Sequence, residues 1–365
     1  MPETADVVLV GAGLVGLCTA LSLRRRGVRS LTLVDRTSIC GESTGASAGG
    51  LWSAHECLAF DSPEIAVRAR DLHARLCREF SCDFVRSGLL ALVEECELAS
   101  ARERVRRTRE AGFEAELLSG RALAECEPRL RHRGPAVHFP GDGSIHPLKL
   151  AARIADWLRR KGVRICLNEE VRLVDAAEPA IATAGGRVSA GAVVVAAGAW
   201  TPLLTSLLGW SPPIRPIRGT LLATGAQRAG TLRAVVIGRR YYYWQLACGP
   251  LSAGGSEEDV GFLEGASDEV EADIRREYGE LFPTLGNVKF TSRWSGFRPF
   301  CEDMHPVIGA VPGSPGVYVS AGHFRKGILL APLSGEFLAG EILEGRQKTP
   351  AAYRPGRFPL SKPSA

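Results

Sequence analysis

The sequence has no run approaching the roughly 18 uninterrupted apolar residues that a membrane-spanning helix needs. Its first residues, MPETADVVLVGAG, place acidic side chains ahead of a short apolar stretch, where a secretory signal peptide would carry basic ones. These two absences argue against a membrane span and against secretion. We therefore expect a cytoplasmic protein.

The sequence also lacks the residue spacing of a metal site or a disulfide framework. Its ten cysteines are scattered through the chain, and the closest pair, Cys77 and Cys82, does not have the usual spacing of zinc ligands. The histidines His55, His138 and His146 are too dispersed to suggest a metal ion. The pattern predicts thiols in a reducing compartment and no metal.

A basic surface of the kind that binds nucleic acid is missing as well. The net charge is +5, and the densest basic runs, RRR at 24–26 and ARERVRRTRE at 101–110, interleave with acids or lie on a predicted helix face. No aromatic or groove-reading motif accompanies them. Solvated helix faces account for these runs, and we expect no nucleic-acid partner.

The best-defined feature that is present is a strand, a helix and a second strand at the N-terminus. VVLV at 7–10 is typical of a buried parallel strand, and the glycine-rich GAGLVG at 11–16 follows it. A helix is predicted from Leu14 to Arg26, and LTLV at 31–34 forms the second strand. The segment is predicted to be a βαβ unit.

The glycines of this unit have the spacing of a dinucleotide-binding loop. Gly11 permits a tight turn, Gly13 lets the backbone approach a pyrophosphate, and Gly16 lets the helix pack against the strand. Asp35 closes the second strand, nineteen residues past Gly16, where a carboxylate can accept hydrogen bonds from a ribose. The alternative is that the glycines serve close packing alone. Strand, helix and terminal acid together favour a dinucleotide.

The next segment, GESTGASAGGLW at 41–52, is rich in small residues. Small side chains let backbone lie close to a flat ligand. The alternative is a flexible surface loop, but the flanking Leu51 and Trp52 argue against a purely solvated linker. The pattern favours a ligand here.

Further along the chain, the patterns predict two interleaved domains. Parallel-strand patterns return in AVVVAAG at 192–198 and GVYVSAGH at 316–323, whereas the segments between 211 and 294 favour an antiparallel sheet with helices. We predict an α/β fold in which a Rossmann-like domain is interleaved with a smaller α+β antiparallel-sheet domain. The predicted boundaries are 1–82, 145–210 and 295–365 for the first domain and 83–144 and 211–294 for the second. Only the C-terminal tail, TPAAYRPGRFPLSKPSA, looks loosely ordered.

The stretch GHFRKGILLAP at 322–332 places two cations before the first turn of a predicted helix. A helix N-terminus already carries a partial positive charge, so Arg325 and Lys326 are unfavourable there unless an anion lies nearby. The stretch therefore predicts an anionic ligand at this end of the helix.

Five motifs together make the chain resemble the FAD-dependent D-amino-acid oxidase superfamily, and within it the glycine oxidases and the flavin subunit of hydrogen cyanide synthase. They are GAGLVG with Asp35, GASAGGLW at 45–52, VVVAAGAW at 193–200, WSGFRP at 294–299 with PVIG at 306–309, and GHFRKGILLAP. The resemblance runs nearly from end to end. It implies that the Rossmann-like domain binds FAD and that the smaller domain binds the substrate.

The resemblance also implies roles for individual residues in holding the flavin. Gly11, Gly13, Gly16 and Asp35 would hold the ADP portion, with Val171 near the adenine. The remaining flavin residues would be Ala48, Gly49 and Leu51 along the isoalloxazine ring, Gly198 after the VVVAA strand, and Gly327, Ile328 and Leu329, whose N–H groups would face the pyrimidine end. The cysteine that binds flavin covalently in sarcosine oxidases has no match at Cys301, so we expect non-covalent FAD.

For the substrate, the resemblance implies that Arg298 pairs with the carboxylate, that Tyr242 shares this task, and that Arg325 is a further active-site arginine. A guanidinium binds a carboxylate through two parallel hydrogen bonds, which fixes both position and rotation. Strand alternation puts Trp244 on the same side as Tyr242, whereas Tyr241 and Tyr243 are expected in the sheet core.

Three differences from relatives bear on the substrate residues. Lys326 stands where relatives usually carry asparagine, and Gln245 stands where their strand after the tyrosine usually contains a proline. Gly50 stands where some relatives carry a bulkier residue, so a roomier pocket is expected. His323 is interpreted as a structural histidine, and no acid or base catalyst is nominated, because a neutral amine with its carboxylate clamped needs none.

The sequence therefore predicts an FAD-dependent oxidase that converts glycine or an N-substituted glycine to an imine by hydride transfer from the α-carbon to flavin N5. Water then releases glyoxylate and the amine, and oxygen becomes hydrogen peroxide. One alternative is a dehydrogenase subunit of the cyanide-synthase or opine-oxidase type that passes electrons to a partner or a quinone. Another is a dinucleotide-binding module without catalysis. The partners predicted are a small amino acid and molecular oxygen, and the oligomeric state is left open.

Overall fold

The computed structural model of the chain describes residues 4–246 and 248–360. Within that part of the chain the α-helices are α1 (Leu14–Arg25), α2 (Ser53–Glu56), α3 (Pro63–Glu79), α4 (Leu98–Glu110), α5 (Gly120–Cys126), α6 (Pro147–Arg160), α7 (Thr201–Thr205), α8 (Asp268–Leu281) and α9 (Gly327–Glu344). None of these helices is both long and apolar enough to cross a lipid bilayer.

The strands of the same residues are β1 (Thr4–Val10), β2 (Leu31–Val34), β3 (Gly50–Leu51), β4 (Phe84–Val85), β5 (Leu89–Leu92), β6 (Glu116–Leu118), β7 (Ala136–Phe139), β8 (Gly143–Ile145), β9 (Arg164–Cys166), β10 (Leu173–Asp175), β11 (Ala180–Thr183), β12 (Gly186–Val195), β13 (Ile214–Ala226), β14 (Val235–Ile237), β15 (Tyr242–Gln245), β16 (Pro250–Gly254), β17 (Phe290–Cys301), β18 (Val307–Ala310) and β19 (Val317–Ala321).

The chain divides into two compact units. The first is built from Met1–Gly45, Pro147–Ile217 and Phe297–Ala365, and the second from Ala46–His146 and Arg218–Gly296. The predicted boundaries differ from this division mainly over residues 46–82, which the sequence pattern had assigned to the Rossmann-like domain. The predicted ends 1–3 and 361–365 lie outside the described residues.

Residues 46–82 belong with the second unit because strand pairing and a buried carboxylate fix them there. β3 pairs antiparallel with β8, and β4 pairs with the other edge of β8. The Ala54 N–H donates to the Asp142 carboxylate, which is 88 residues away in sequence. A local pattern of small residues does not reveal partners at that separation.

A mixed sheet with parallel central strands forms the centre of the first unit. Its order is β10-β11-β12-β1-β2-β9, with β19 pairing with β12 and β18 pairing with β19. Val8 of β1 lies opposite Thr32 of β2 and Val193 of β12 in parallel register, and it has no exposed surface. A continuous apolar run suits a strand that is buried on both faces. The predicted βαβ unit is therefore present.

Helix α9 packs closely against α1 in the first unit. A Cβ on Gly335 would lie 2.6 Å from the backbone oxygen of Cys18, so the two helices meet where one of them has no side chain. Most of α9 is buried, which explains why its sequence is apolar on nearly every side.

The second unit contains a sheet in the order β17-β13-β16-β15-β14-β5-β7-β6. The pair β14 and β5 is parallel, whereas β15 with β16, β14 with β15, and β5 with β7 are antiparallel. Tyr243 is fully buried and packs with Phe282 and Tyr278 of the adjoining core, which confirms its expected place in the sheet core. The two sheets together confirm the predicted α/β fold class.

Candidate functional site

Four parallel strands of the first unit, β2, β1, β12 and β19, are neighbours and end at the same edge of their sheet. A predicted cofactor residue follows each strand: Asp35 after β2, Gly11 after β1, Gly198 after β12 and Gly327 after β19. Ligands of open α/β sheets bind outside the carboxyl ends of the strands. The fold thus brings together four segments that are far apart in the sequence.

The glycines of the first loop are required by close backbone contact. Gly11 has φ +114°, and a Cβ there would overlap the carbonyl of Ala196. A Cβ on Gly16 would overlap the carbonyl oxygen of Gly11, so α1 could not approach β1. Gly13 is the N-cap residue of α1, and it offers no side chain between the helix N-terminus and a ligand. This geometry supports the turn role of Gly11 and the packing role of Gly16, whereas the pyrophosphate role of Gly13 stays a prediction.

The Asp35 carboxylate is held at the end of β2 by nearby donors. Its Oδ2 accepts the Ala12 N–H at 2.7 Å, and its Oδ1 accepts the Thr37 N–H at 2.8 Å. The Glu169 N–H donates to the Asp35 carbonyl, which places the segment leading to buried Val171 beside this acid. The ribose role of Asp35 and the adenine role of Val171 stay predictions.

Thr44 is a loop residue that the sequence reasoning missed. Its Oγ1 accepts the Leu14 N–H at 3.2 Å, and it lies 3.4 Å from the place of a Cβ on Gly13. The hydroxyl therefore satisfies one of the unpaired N–H groups at the start of α1. Its spacing from the glycine motif carries no sequence signal, because the contact depends on how residues 41–45 fold back over the helix.

The small-residue segment continues into an ordered strand in the second unit. Gly49 is buried with φ +72°, its carbonyl accepts the Ile145 N–H at 2.9 Å, and Leu51 is buried in β3. Ala48 is half-buried. These contacts argue against a freely solvated linker, and the flavin roles of Ala48, Gly49 and Leu51 stay predictions.

Asp142 is a second residue that the sequence reasoning missed. It is fully buried, and it accepts hydrogen bonds from Ala54 N–H at 2.9 Å, His55 N–H at 2.8 Å and Ser53 Oγ at 3.3 Å. Burial raises the pKa of Asp142 to about 6, although the two N–H groups favour its charged form. The carboxylate fixes the start of α2, directly after the predicted flavin segment.

An aromatic cluster surrounds the predicted substrate residue Tyr242. Its ring lies 5.1 Å from the Trp52 ring and 5.7 Å from the Trp244 ring, measured between centroids. Gly255 is needed behind it, because a Cβ there would overlap the Tyr242 ring. Strand alternation therefore does place Trp244 beside Tyr242, as predicted, and Trp244 is 2% exposed.

The expected roomier pocket at Gly50 requires a correction. A Cβ on Gly50 would lie 2.5 Å from Cε2 and 2.7 Å from Nε1 of Trp52. The space that a larger residue at position 50 would use is therefore filled by the Trp52 indole. The sequence comparison with relatives at one position missed the compensating residue two positions later.

Arg298 lies in the part of β17 that starts at Phe297 and belongs to the first unit, and it is half-buried. Its neighbours Phe297 and Pro299 are buried, and Phe297 packs edge-on against Trp200 at 5.9 Å. The carbonyl of Phe297 also accepts a hydrogen bond from Ser43 Oγ at 2.6 Å. Alternation along the strand directs the guanidinium away from these two buried neighbours. Its predicted role toward a carboxylate, and that of Tyr242, stay predictions.

The two cations of GHFRKGILLAP have different environments in the structure. Both lie in a 3₁₀ turn, Phe324–Lys326, immediately before α9. Lys326 is 4% exposed and its Nζ donates to the Met304 carbonyl at 3.1 Å, whereas Arg325 is exposed. Gly327 opens α9, and Ile328 and Leu329 are buried in its first turn. A buried cation thus stands at a helix N-terminus, where it favours an anion.

His323 is a buried, neutral histidine. Its Nε2 lies 2.9 Å from Ser334 Oγ, and its side chain is 2% exposed. Burial and, secondarily, the charge of Lys326 lower the pKa of His323 to about 3. The imidazole is therefore neutral near pH 7, as expected for a structural histidine that is hydrogen-bonded to another residue.

Comparison with known proteins adds to this geometry. The family of FAD dependent oxidoreductases (DAO) matches residues 6–341. The chain belongs to this family. Its cofactor is FAD, and the residues fit that cofactor: the glycine loop excludes any Cβ at Gly11 and Gly16, Gly13 caps α1, and Asp35 closes β2.

Individual members of the family resemble the chain over nearly its whole length. A glycine oxidase of Pseudomonas aeruginosa is 30% identical, covering 96% of this chain and 98% of that protein. The hydrogen cyanide synthase subunit HcnC of the same organism is 25% identical, covering 93% and 92%. The crystal structure of glycine oxidase from Geobacillus kaustophilus aligns over 100% of both chains with a TM-score of 0.89 and 27% identity. The resemblance inferred from the motifs is confirmed.

Proposed function

We propose that this FAD-dependent oxidoreductase is an oxidase of glycine or of an N-substituted glycine. The overall reaction takes the amino acid, oxygen and water to glyoxylate, the free amine and hydrogen peroxide. The observation that carries the proposal is Arg298, a half-buried arginine in the WSGFRP strand of a chain that resembles glycine oxidases from end to end. We expect the activity in the cytoplasm.

Each side chain has a limited task in this reaction. FAD, when bound, supplies the chemistry by accepting the hydride from the α-carbon. Arg298 binds the substrate carboxylate through two charge-assisted hydrogen bonds, which holds the α-carbon in one orientation. Lys326 provides a buried positive charge at the start of α9. His323 is neutral and hydrogen-bonded to Ser334, so we assign it no role in proton transfer.

The reaction is tested by measuring peroxide and glyoxylate from the purified FAD-loaded protein with glycine, sarcosine and other N-alkylglycines. The proposal expects one peroxide for each glyoxylate, and flavin bleaching by the same amines when oxygen is absent. Flavin that keeps its oxidised spectrum with all of these amines would reject the proposal and favour a binding module without catalysis.

Arg298→Leu tests the carboxylate contact. Losing two charge-assisted hydrogen bonds is expected to lower kcat/KM by about 100- to 1,000-fold. Arg298→Lys keeps the positive charge but lacks the two parallel N–H donors of the guanidinium, so it is expected to recover only part of this loss in kcat/KM. The matched control is Arg239→Leu, at an exposed arginine paired with Glu280, which should leave kcat/KM within about 2-fold. If Arg298→Leu kept the kcat/KM of the parent, Arg298 would not be a substrate-binding residue.

A second candidate is a dehydrogenase subunit that passes electrons to a partner or a quinone. The similarity to the cyanide synthase subunit over most of both chains favours it. The oxidase and the dehydrogenase hypotheses are distinguished by reducing the flavin with substrate and then mixing the reduced protein with air or with an artificial dye. Reoxidation that is fast in air supports the oxidase, whereas slow reoxidation in air and fast reoxidation by the dye supports the dehydrogenase.

A further inference from the structure

Gly50 and Trp52 are interlocked in the second unit. A Cβ on Gly50 would lie 2.5 Å from the Trp52 ring, which is closer than real Cβ atoms come to other heavy atoms. The indole can therefore occupy its place only while residue 50 is glycine. The two residues therefore form a pair in which the side-chain volume comes from Trp52.

The Trp52 ring is held on several sides. It makes edge contacts with Tyr242 at 5.1 Å and with His55 at 6.2 Å between ring centroids. Its backbone is held on one side by the pairing of β3 with β8 and on the other by Asp142, which binds the N–H groups that start α2. A ring fixed in this way cannot swing aside without breaking these contacts.

Within the described residues, the contacts of the Trp52 ring are packing contacts. Its Nε1 is buried, and it has no acceptor within residues 4–246 and 248–360. Hydrogen bonding to the described residues therefore does not explain a tryptophan at this position. What the ring does is fill space between Gly50 and Tyr242.

We propose that Trp52 is the residue that sets the size limit of the substrate, restricting it to glycine and to glycines with a small N-substituent such as methyl. The inference rests on the proposed function, because Gly50 and Tyr242 are the predicted pocket residues that Trp52 joins. Trp52 also keeps the Tyr242 ring in place against Gly255. The substrate limit is thus imposed by Trp52 even though Gly50 has no side chain.

The first test compares substrates of different size. The parent protein is expected to prefer sarcosine to N-benzylglycine by about 100-fold in kcat/KM, and Trp52→Ala is expected to reduce this preference to about 10-fold or less. Trp52→Phe keeps most of the ring and should stay close to the parent. If Trp52→Ala changed kcat/KM by the same factor for sarcosine and for N-benzylglycine, the proposal would be overturned.

The second test uses the interlock itself. Gly50→Ala forces the indole to move, so it is expected to lower kcat/KM for sarcosine by about 10-fold in the parent background. In the Trp52→Ala background the same substitution meets no ring and should cost less than about 2-fold. Equal losses in both backgrounds would show that the two positions do not share this space.

A binding measurement separates this inference from the proposed function. Glycolate and benzyloxyacetate are carboxylates without an amine, and their Kd values are read from the change in the flavin absorbance. Trp52→Ala should narrow the ratio of the two Kd values, whether or not any amine is oxidised. Each variant is first checked for bound FAD and for its Tm, and if Trp52→Ala does not fold, Trp52→Leu is measured in its place. An unchanged Kd ratio in a folded, FAD-loaded variant would overturn the proposal.

Discussion

Lys326 is a buried cation at the N-terminus of α9, where the helix dipole already favours negative charge. Its Nζ donates to the Met304 carbonyl, so the ammonium group is held by the protein rather than by solvent. Arg325 beside it is exposed. The two cations that look equivalent in the sequence therefore have different consequences, and only Lys326 places its charge inside the protein.

Lys326→Asn is expected to lower the flavin reduction potential. A buried cation stabilises the negative charge that a flavin gains on reduction, and its removal is expected to shift the potential by about 20–40 mV, the two-electron equivalent of roughly 1–2 kcal/mol. The potential is measured by reductive titration against a dye of known potential. Lys348→Asn, at an exposed lysine, is the control and should not shift it. An unshifted potential in Lys326→Asn would mean that the lysine only anchors Met304.

His323 is expected to make stability depend on pH. Its pKa is about 3 when folded and near 6.5 when unfolded, so below pH 6.5 the unfolded chain binds a proton that the folded chain does not. The stability contributed by the neutral ring is present above pH 6.5 and is lost as pH falls.

The measurement compares the parent with His323→Gln, which stays neutral at every pH. The stability of the parent relative to this variant is expected to fall by about 1.4 kcal/mol between pH 7.5 and pH 5.5. Asp142 acts in the opposite direction, because burial raises its pKa to about 6, but it is present in both proteins and cancels. A pH-independent difference would mean that the buried ring takes up a proton in the folded protein.

At the scale of elements, helix α1 and strand β1 depend on a glycine that leaves no room for a methyl group. Gly16 faces the carbonyl of Gly11, and a Cβ there would overlap it. Gly279 in α8 is also a helical glycine, but it is exposed and nothing lies within 4 Å of the place of its Cβ. Two glycines in helices thus have opposite structural requirements.

Gly16→Ala is expected to weaken FAD binding by at least about 10-fold and to lower stability by about 2 kcal/mol, because α1 must shift from β1. Gly279→Ala, the matched control, is expected to raise stability by about 0.5–1 kcal/mol through helix propensity alone. Stability is measured by chemical denaturation and FAD affinity by titration of the apoprotein. A Gly16→Ala protein that binds FAD like the parent would show that the helix has freedom to move.

At the scale of the whole molecule, the C-terminal tail differs from the expectation of loose order over the residues that the structure describes. Tyr353 is 1% exposed, and Arg357 forms an ion pair with Asp303 at 2.7 Å. The expectation was wrong there because the proline- and glycine-rich tail has no periodic pattern, and its order comes from contacts with distant parts of the first unit. Residues 361–365 of the tail lie outside the described residues.

FAD is expected to leave the protein on acid precipitation, with the yellow chromophore in the supernatant. The apoprotein should then unfold at a lower temperature than the FAD-loaded protein, since FAD at 100 times its Kd stabilises the folded state by about 2.7 kcal/mol. The Tm of both forms is measured by calorimetry at a stated FAD concentration. Colour that stays with the pellet would contradict non-covalent binding.

The family and the cofactor were predictable from local sequence, because each is recognised from motifs whose residues lie close together in the chain. Gly16 of GAGLVG is required by a contact with Gly11 in the same loop, although Gly11 itself meets the distant Ala196, and Asp35 closes the next strand of the same unit. Their long-range partners were not predictable, since Thr44 meets the start of α1, and Asp142 meets the residues after GASAGGLW, only after the chain has folded back.

By itself, the sequence determined the βαβ unit, the α/β fold class, the family and FAD. Only the tertiary structure decided that residues 46–82 belong with the second unit, that Lys326 is buried while Arg325 is exposed, and that Trp52 fills the space beside Gly50. The physical reason is the range of the interactions. Strand and glycine patterns report contacts within a few residues, whereas burial and the filling of space depend on side chains brought together from distant segments.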